Sequence, residues 1–212
     1  KVNGQKSLRI NKKKFIYLIS PSKIAKNNFY VDLSKIFKSK KISFFQLRLK
    51  NTKINKKILI GKKVKKICKK YNVKFLVNDD PILAKKLGAD GCHLGQKDMS
   101  ISEARKTLKN KIIGITCHNS IKLAKIAISN KVDYLAFGAF NNSKTKKTRY
   151  KAKINILRSI KKITKIPIVA IGGINSKNYK KLLLNKADFL AISGFIWNNK
   201  KYKPSKAIEK IK

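Results

Sequence analysis

Ile166-Pro167-Ile168-Val169-Ala170-Ile171, followed at once by Gly172-Gly173, is the stretch on which the reading of the fold turns. A half-buried strand alternates apolar and polar residues, whereas this one is apolar throughout. That pattern predicts burial on both faces, as in a parallel sheet covered by helices. Working outward, the same kind of short apolar run recurs at Phe15 to Ser20, Ser43 to Leu49, Val73 to Val77, Gly91 to Leu94, Ile112 to Thr116, Tyr134 to Gly138 and Phe189 to Ile192. Lysine-decorated amphipathic stretches separate them. In Asn55 to Tyr71, for example, Ile58, Val64, Ile67, Cys68 and Tyr71 fall near helical spacing. Asp80-Pro81 reads as an N-cap with proline at the first helical position, and Ser100 with Glu103 reads as a capping box. Eight strand-then-helix units in one chain of 212 residues predict a compact (β/α)8 TIM barrel over residues 14–212, preceded by a basic extension at 1–13.

The charge is extreme: 54 Lys plus Arg against 9 Asp plus Glu, a formal net charge of +45. Such an excess raises the prospect of a nucleic-acid-binding protein, because basic side chains on phosphates release counterions. Its composition argues otherwise. Only Arg9, Arg48, Arg105, Arg149 and Arg158 are arginine, the residue suited to bidentate recognition, and the lysines run along the whole chain beside abundant Ile and Asn. A coding sequence rich in A and T accounts for that bias, so no specific nucleic-acid partner is expected. No apolar run reaches the roughly 18 to 20 residues of a membrane-spanning helix, and no signal-peptide hydrophobic stretch follows Lys1 to Lys14. Cys68, Cys92 and Cys117 form no CxxC pair. These features lead to the expectation of free thiols in the cytoplasm, with no membrane partner, while assembly into a homo-oligomer stays open.

In a parallel barrel, functional groups collect at the carboxyl ends of the strands. After the second strand, Gln46-Leu47-Arg48-Leu49-Lys50 points an amide and two cations to one side, a set suited to a polar heterocycle carrying a diphosphate. The third strand ends in Asn78-Asp79-Asp80, and Gly95-Gln96-Lys97-Asp98 follows the fourth. Asp79 and Asp98 suit magnesium, which takes one or two carboxylates and fills its other positions with water and phosphate oxygens. Thr116-Cys117-His118-Asn119 ends the fifth strand; Cys117 reads as a buried thiol and His93 as a structural residue. The polar stretch Asn141 to Lys151, with Ser143, Thr145 and Lys146, reads as a candidate lid. Gly172-Gly173 and Ser193-Gly194, after the seventh and eighth strands, suit a second phosphate held by backbone amides.

Taken together, QLRLK at 46–50, NDD at 78–80, ADGCHLGQKD at 89–98, IIGITCHN at 112–119, SKTK at 143–146, VAIGGIN at 169–175 and AISG at 191–194 resemble the thiamine-phosphate synthase family over about residues 14–197. The resemblance implies a barrel enzyme that joins hydroxymethylpyrimidine diphosphate to a thiazole phosphate with the help of Mg2+, giving thiamine phosphate and pyrophosphate. It further implies that Gln46, Leu47, Arg48, Leu49, Lys50, Asn78, Thr116 and Lys146 surround the pyrimidine diphosphate, with Arg48, Lys50, Lys146 and Thr116 as the catalytic set. Asp79 and Asp98 would hold the metal, and Ser143, Lys144, Thr145, Gly173, Ile192 and Ser193 the thiazole phosphate. The chain departs from the family pattern at Thr116, where serine is usual, at Asn141-Asn142-Ser143, where proline and threonine lead the loop, and at Asp80-Pro81. A related barrel, the thiazole tautomerase, shares the scaffold and uses a histidine that His118 could match, but it typically lacks the paired aspartates. Retention of Asp79 and Asp98 favours the synthase.

Overall fold

The computed structural model describes residues 14–24, 28–142 and 150–212. The expected extension at 1–13 and the loop residues Ser143, Lys144, Thr145 and Lys146 lie outside the described residues. In chain order the elements are β1 (Ile16–Ile19), α1 (Asn28–Lys38), β2 (Ile42–Leu47), α2 (Ile54–Lys70), β3 (Lys74–Asn78), α3 (Pro81–Leu87), β4 (Gly91–Leu94), α4 (Ile101–Leu108), β5 (Ile112–His118), α5 (Ile121–Ser129), β6 (Tyr134–Phe137), α6 (Asn155–Ile163), β7 (Ile168–Ile171), α7 (Tyr179–Leu184), β8 (Phe189–Ile192), α8 (Gly194–Trp197) and α9 (Pro204–Glu209). The eight strands pair in sequence order, all parallel, and β8 closes on β1. The predicted (β/α)8 barrel is therefore the observed fold.

Two cores follow from the period-two geometry of the strands. Ile16, Leu18, Phe45, Leu47, Ile113, Ile168, Leu190 and Ile192 point outward into the layer shared with the helices. Tyr17, Ile19, Phe44, Leu76, Tyr134, Val169, Phe189 and Ala191 point inward and fill the barrel. Phe44 meets Phe189 edge to face at 5.0 Å, and Tyr17 stacks on Phe44 at 5.5 Å. Each such ring removed from water contributes about 1.5–3 kcal/mol, so the barrel is a packed core closed to passage from below.

β4 and β8 have the expected ends, and the other strands differ from expectation by one or two residues at an end. Pro167 has no N–H to give the ladder, so β7 begins at Ile168 rather than Ile166. β2 stops at Leu47 because the next amide, Arg48 N–H, donates to the Ser20 hydroxyl at 2.9 Å instead of to a strand. β5 runs on to His118, whose carbonyl accepts from Gly138 N–H at 3.0 Å. The caps are as predicted. The Asp80 side chain accepts from Leu83 N–H at 2.8 Å, and Ser100 and Glu103 form a reciprocal capping box.

At the opposite end of the barrel, a device recurs that the sequence reading did not single out. Asp90, Asp133 and Asp188 each stand just before an even-numbered strand. Each accepts the backbone N–H at or near the start of the preceding strand: Phe75 at 2.8 Å, Ile113 at 2.8 Å and Ile168 at 2.7 Å. Arg105 pairs with Asp133 at 2.8 Å and Lys161 with Asp188 at 2.5 Å. These side chains lock strand register from below and leave the upper rim to chemistry.

Candidate active site at the carboxyl ends of the strands

The upper rim begins with Ser20, the residue after β1, which is 2% exposed. Its N–H donates to Gln46 O at 2.9 Å, its hydroxyl accepts from Arg48 N–H and donates back to Arg48 O at 3.2 Å, and its carbonyl accepts from Ser193 Oγ at 3.2 Å. One buried serine thus fixes the ends of β1, β2 and β8 against one another. Arg48 and Lys50 leave the strand immediately above it, Arg48 partly buried and Lys50 exposed. Leu47 and Leu49 turn the other way, Leu47 within the helix-facing core and Leu49 packed against it. Any contact they make with a substrate is confined to their backbone. Ile192 is likewise buried on the helix side.

Asp79 adopts a left-handed backbone (φ 64°), a conformation that aspartate tolerates better than most residues, while its N–H donates to His93 O at 2.7 Å. That turn brings it to the side chain of Asp98, whose Oδ2 is anchored by Gly95 N–H at 2.7 Å. Removal of water from the Asp79 carboxyl, together with a hydrogen bond to Asp98 and its negative charge, pushes Asp79 up to about 6. Arg48 and Asn78 pull in the opposite direction. The segments that follow β2, β3 and β4 therefore bring Arg48, Asp79 and Asp98 near one another. Among the described residues, no group of three or more His, Cys, Asp or Glu is gathered.

Inside the rim, Gln46 and Thr116, both expected in the site, are joined by a file of side chains whose part in it was not expected: Tyr17, Tyr134 and His93. Gln46 Nε2 donates to Tyr17 Oη at 2.8 Å, and Tyr17 Oη lies 2.8 Å from Tyr134 Oη. Tyr134 Oη in turn lies 2.8 Å from His93 Nδ1, and His93 Nε2 lies 2.9 Å from Thr116 Oγ1. His93, read as structural, is thus wired directly to a predicted site residue. Tyrosine at inward strand positions was the available signal, since an inward phenol needs a partner. Burial raises both phenols far above their ordinary value, so each keeps its proton.

On the far side, Gly173 has φ 58°, and a Cβ there would run into Asn142 O. That position admits only glycine without rearrangement. Ser193 precedes the short helix α8. His118, also left-handed (φ 55°), stacks on Tyr150 with ring centroids 3.8 Å apart. Cys117 is fully buried, and its thiol is pushed up to about 12, which removes it as a nucleophile.

The model of the family described as thiamine monophosphate synthase matches residues 16–196. The chain belongs to the thiamine monophosphate synthase family. A thiamine-phosphate synthase of Pelagibacter ubique is 69% identical over 207 residues, covering 98% of this chain and 100% of its own. One from Erythrobacter litoralis is 39% identical over 188 residues, 86% of this chain and 88% of its own. Among solved structures, thiamine phosphate pyrophosphorylase from Pyrococcus furiosus superposes with a TM-score of 0.81 at 29% identity, covering 95% of this chain and 94% of that one. The family match spans both ends of the site just described, from β1 to α8.

Proposed function

We propose that this chain is a thiamine-phosphate synthase that displaces pyrophosphate from an amino-hydroxymethylpyrimidine diphosphate with the ring nitrogen of a thiazole phosphate. The observation that carries the reading is the meeting of Asp79, Asp98 and Arg48 at one rim, in a family whose relatives bear that name over nearly the whole chain. The two carboxylates fit a divalent cation: side by side and sharing a hydrogen bond, they hold a proton where a metal would relieve their repulsion. Mg2+ bound there supplies positive charge to the departing pyrophosphate.

The remaining steps fall to the chain itself. Arg48 offers a bidentate fork to the diphosphate and Lys50 a point charge, so negative charge that builds on the leaving group meets cations already in place. The aminopyrimidine stabilises the cation left on its methylene by donating ring electrons, and no protein nucleophile is required. Gln46, Asn78 and Thr116 orient the ring; Gly173 and Ser193 anchor the thiazole phosphate, whose nitrogen then captures the cation. Holding the two partners together supplies much of the rate enhancement. Lys146 completes the cation set, and Ser143, Lys144 and Thr145 the thiazole-phosphate contacts, as the family resemblance implies. The three free, buried cysteines are in keeping with a reducing cytoplasm.

The test is formation of thiamine phosphate from the two precursors, followed by chromatography with Mg2+ present or chelated. Wild-type protein is expected to form product only with the metal, and Asp98→Ala to lose at least about a hundredfold in turnover. Near-normal turnover in Asp98→Ala would refute the metal assignment. Tautomerase activity without coupling would move the chain to the related barrel.

A further inference from the structure

We propose that Tyr17, Tyr134 and His93 form a one-way hydrogen-bond relay that fixes the polarity of the site's two poles, Gln46 as an acceptor and Thr116 as a donor, toward the aminopyrimidine ring. The inference rests on the synthase reading for the identity of that ring, and on geometry for everything else.

The direction follows from counting protons. Each phenol has one hydrogen to give and is sealed in the barrel at 1% exposure, while Gln46 is 2% exposed at the rim. Gln46 presents its amide nitrogen to Tyr17, so the Tyr17 oxygen accepts there and its own hydrogen must go to Tyr134. Tyr134 therefore donates onward to His93 Nδ1. With Nδ1 an acceptor, the neutral ring carries its proton on Nε2 and donates it to Thr116 Oγ1. Thr116 Oγ1 accepts from His93, which leaves the threonine hydrogen to point into the cavity.

The other end is fixed by the same logic. No buried side-chain nitrogen or oxygen among the described residues lacks a partner, and the Gln46 side chain has a bond to Tyr17 alone. Its Oε1 is consequently open to the cavity as an acceptor. A ring that carries both amino N–H donors and ring-nitrogen acceptors is matched by this pair of poles. Were the relay reversed, Thr116 would present an acceptor and Gln46 a donor. Gly114 makes the arrangement fit: a Cβ there would run into the Tyr134 ring.

Tyr17, Tyr134 and His93 are accordingly positioning residues rather than catalytic ones. Two measurements on the intact protein test this. Nitrogen-15 spectra of the histidine rings at about pH 8, where imidazole is normally neutral, should show His93 protonated on Nε2; with 2 histidines in the sequence, His118→Gln assigns the signals. Tyr134→Phe should shift that tautomer toward Nδ1. It should also weaken binding of the aminopyrimidine diphosphate, read by calorimetry, by about five- to tenfold, with kcat falling less than KM rises. Tyr17→Phe should weaken binding similarly while leaving the His93 tautomer in place, and it serves if the Tyr134 variant folds poorly. A wild-type His93 protonated on Nδ1, or unchanged ligand binding in both variants, overturns the relay. Failure of the wild-type protein to couple its precursors, with Nε2–H intact and ligand bound, defeats the synthase reading instead.

Discussion

Asp79 is the residue whose behaviour most directly reports what the rim is for. Its carboxyl moves from 3.8 up to about 6, because it is deprived of water and faces Asp98. The folded protein then binds more protons than the unfolded chain between those values. The stability carried by the protonated form is complete below the lower value and is lost as pH rises through the higher. On the proposed reading, a divalent cation would take over the proton's place. Mg2+ is expected to raise Tm by a few degrees at about pH 7.5 and by much less at about pH 4.5, and equal gains at both would contradict the pairing. Asp98→Asn should return Asp79 toward its ordinary range and flatten the pH dependence of Tm in the same window. Both aspartates were legible in the sequence, since in a chain with 9 acidic residues two strand ends carry them. Tyr17, Tyr134 and Ser20 were not, because their importance lies in whom they meet: Tyr17 and Tyr134 are 117 positions apart, and Ser193 reaches back 173 positions to Ser20.

Elements are held by side chains that look ordinary in isolation. Asp188 accepts Ile168 N–H and pairs with Lys161, with 16% of its side chain exposed. Asp188→Ala leaves that strand amide and the lysine without a partner, and chemical denaturation should show a loss of about 1–3 kcal/mol with little change in KM, since the site lies at the other end of the barrel. Ser100→Ala removes half of the capping box at α4 and is expected to cost about 1 kcal/mol by the same measurement. Strand positions were readable because runs of apolar residues between turn signals leave few alternatives, and Gly91–Leu94 and Phe189–Ile192 coincide with expectation. The ends that shifted did so through particular atoms, the missing N–H of Pro167 and the hydroxyl of Ser20, which the periodicity of a sequence does not register.

Across the whole molecule, a charge of +45 sits mainly on lysines outside the site. Acids are sparse, and most occupy structural posts: Asp80 and Glu103 cap helices, and Asp90, Asp133 and Asp188 fix strands. Of the other four, Asp32 lies on α1 and Glu209 pairs with Lys206, while Asp79 and Asp98 face each other at the rim. A lysine-coated surface attracts phosphorylated substrates from a distance and is screened by salt. Raising ionic strength from about 0.05 to about 0.5 M should therefore raise KM for the pyrimidine diphosphate several-fold, with kcat changing less than twofold.

The central claim, that this rim ionises a pyrimidine diphosphate and delivers it to a thiazole, is tested most directly by pyrophosphate release from the pyrimidine diphosphate and Mg2+, measured with and without the thiazole phosphate. The account predicts sustained release that depends on the thiazole partner and yields one thiamine phosphate per pyrophosphate. Release that ignores the partner, or none with both substrates and the metal present, would contradict it.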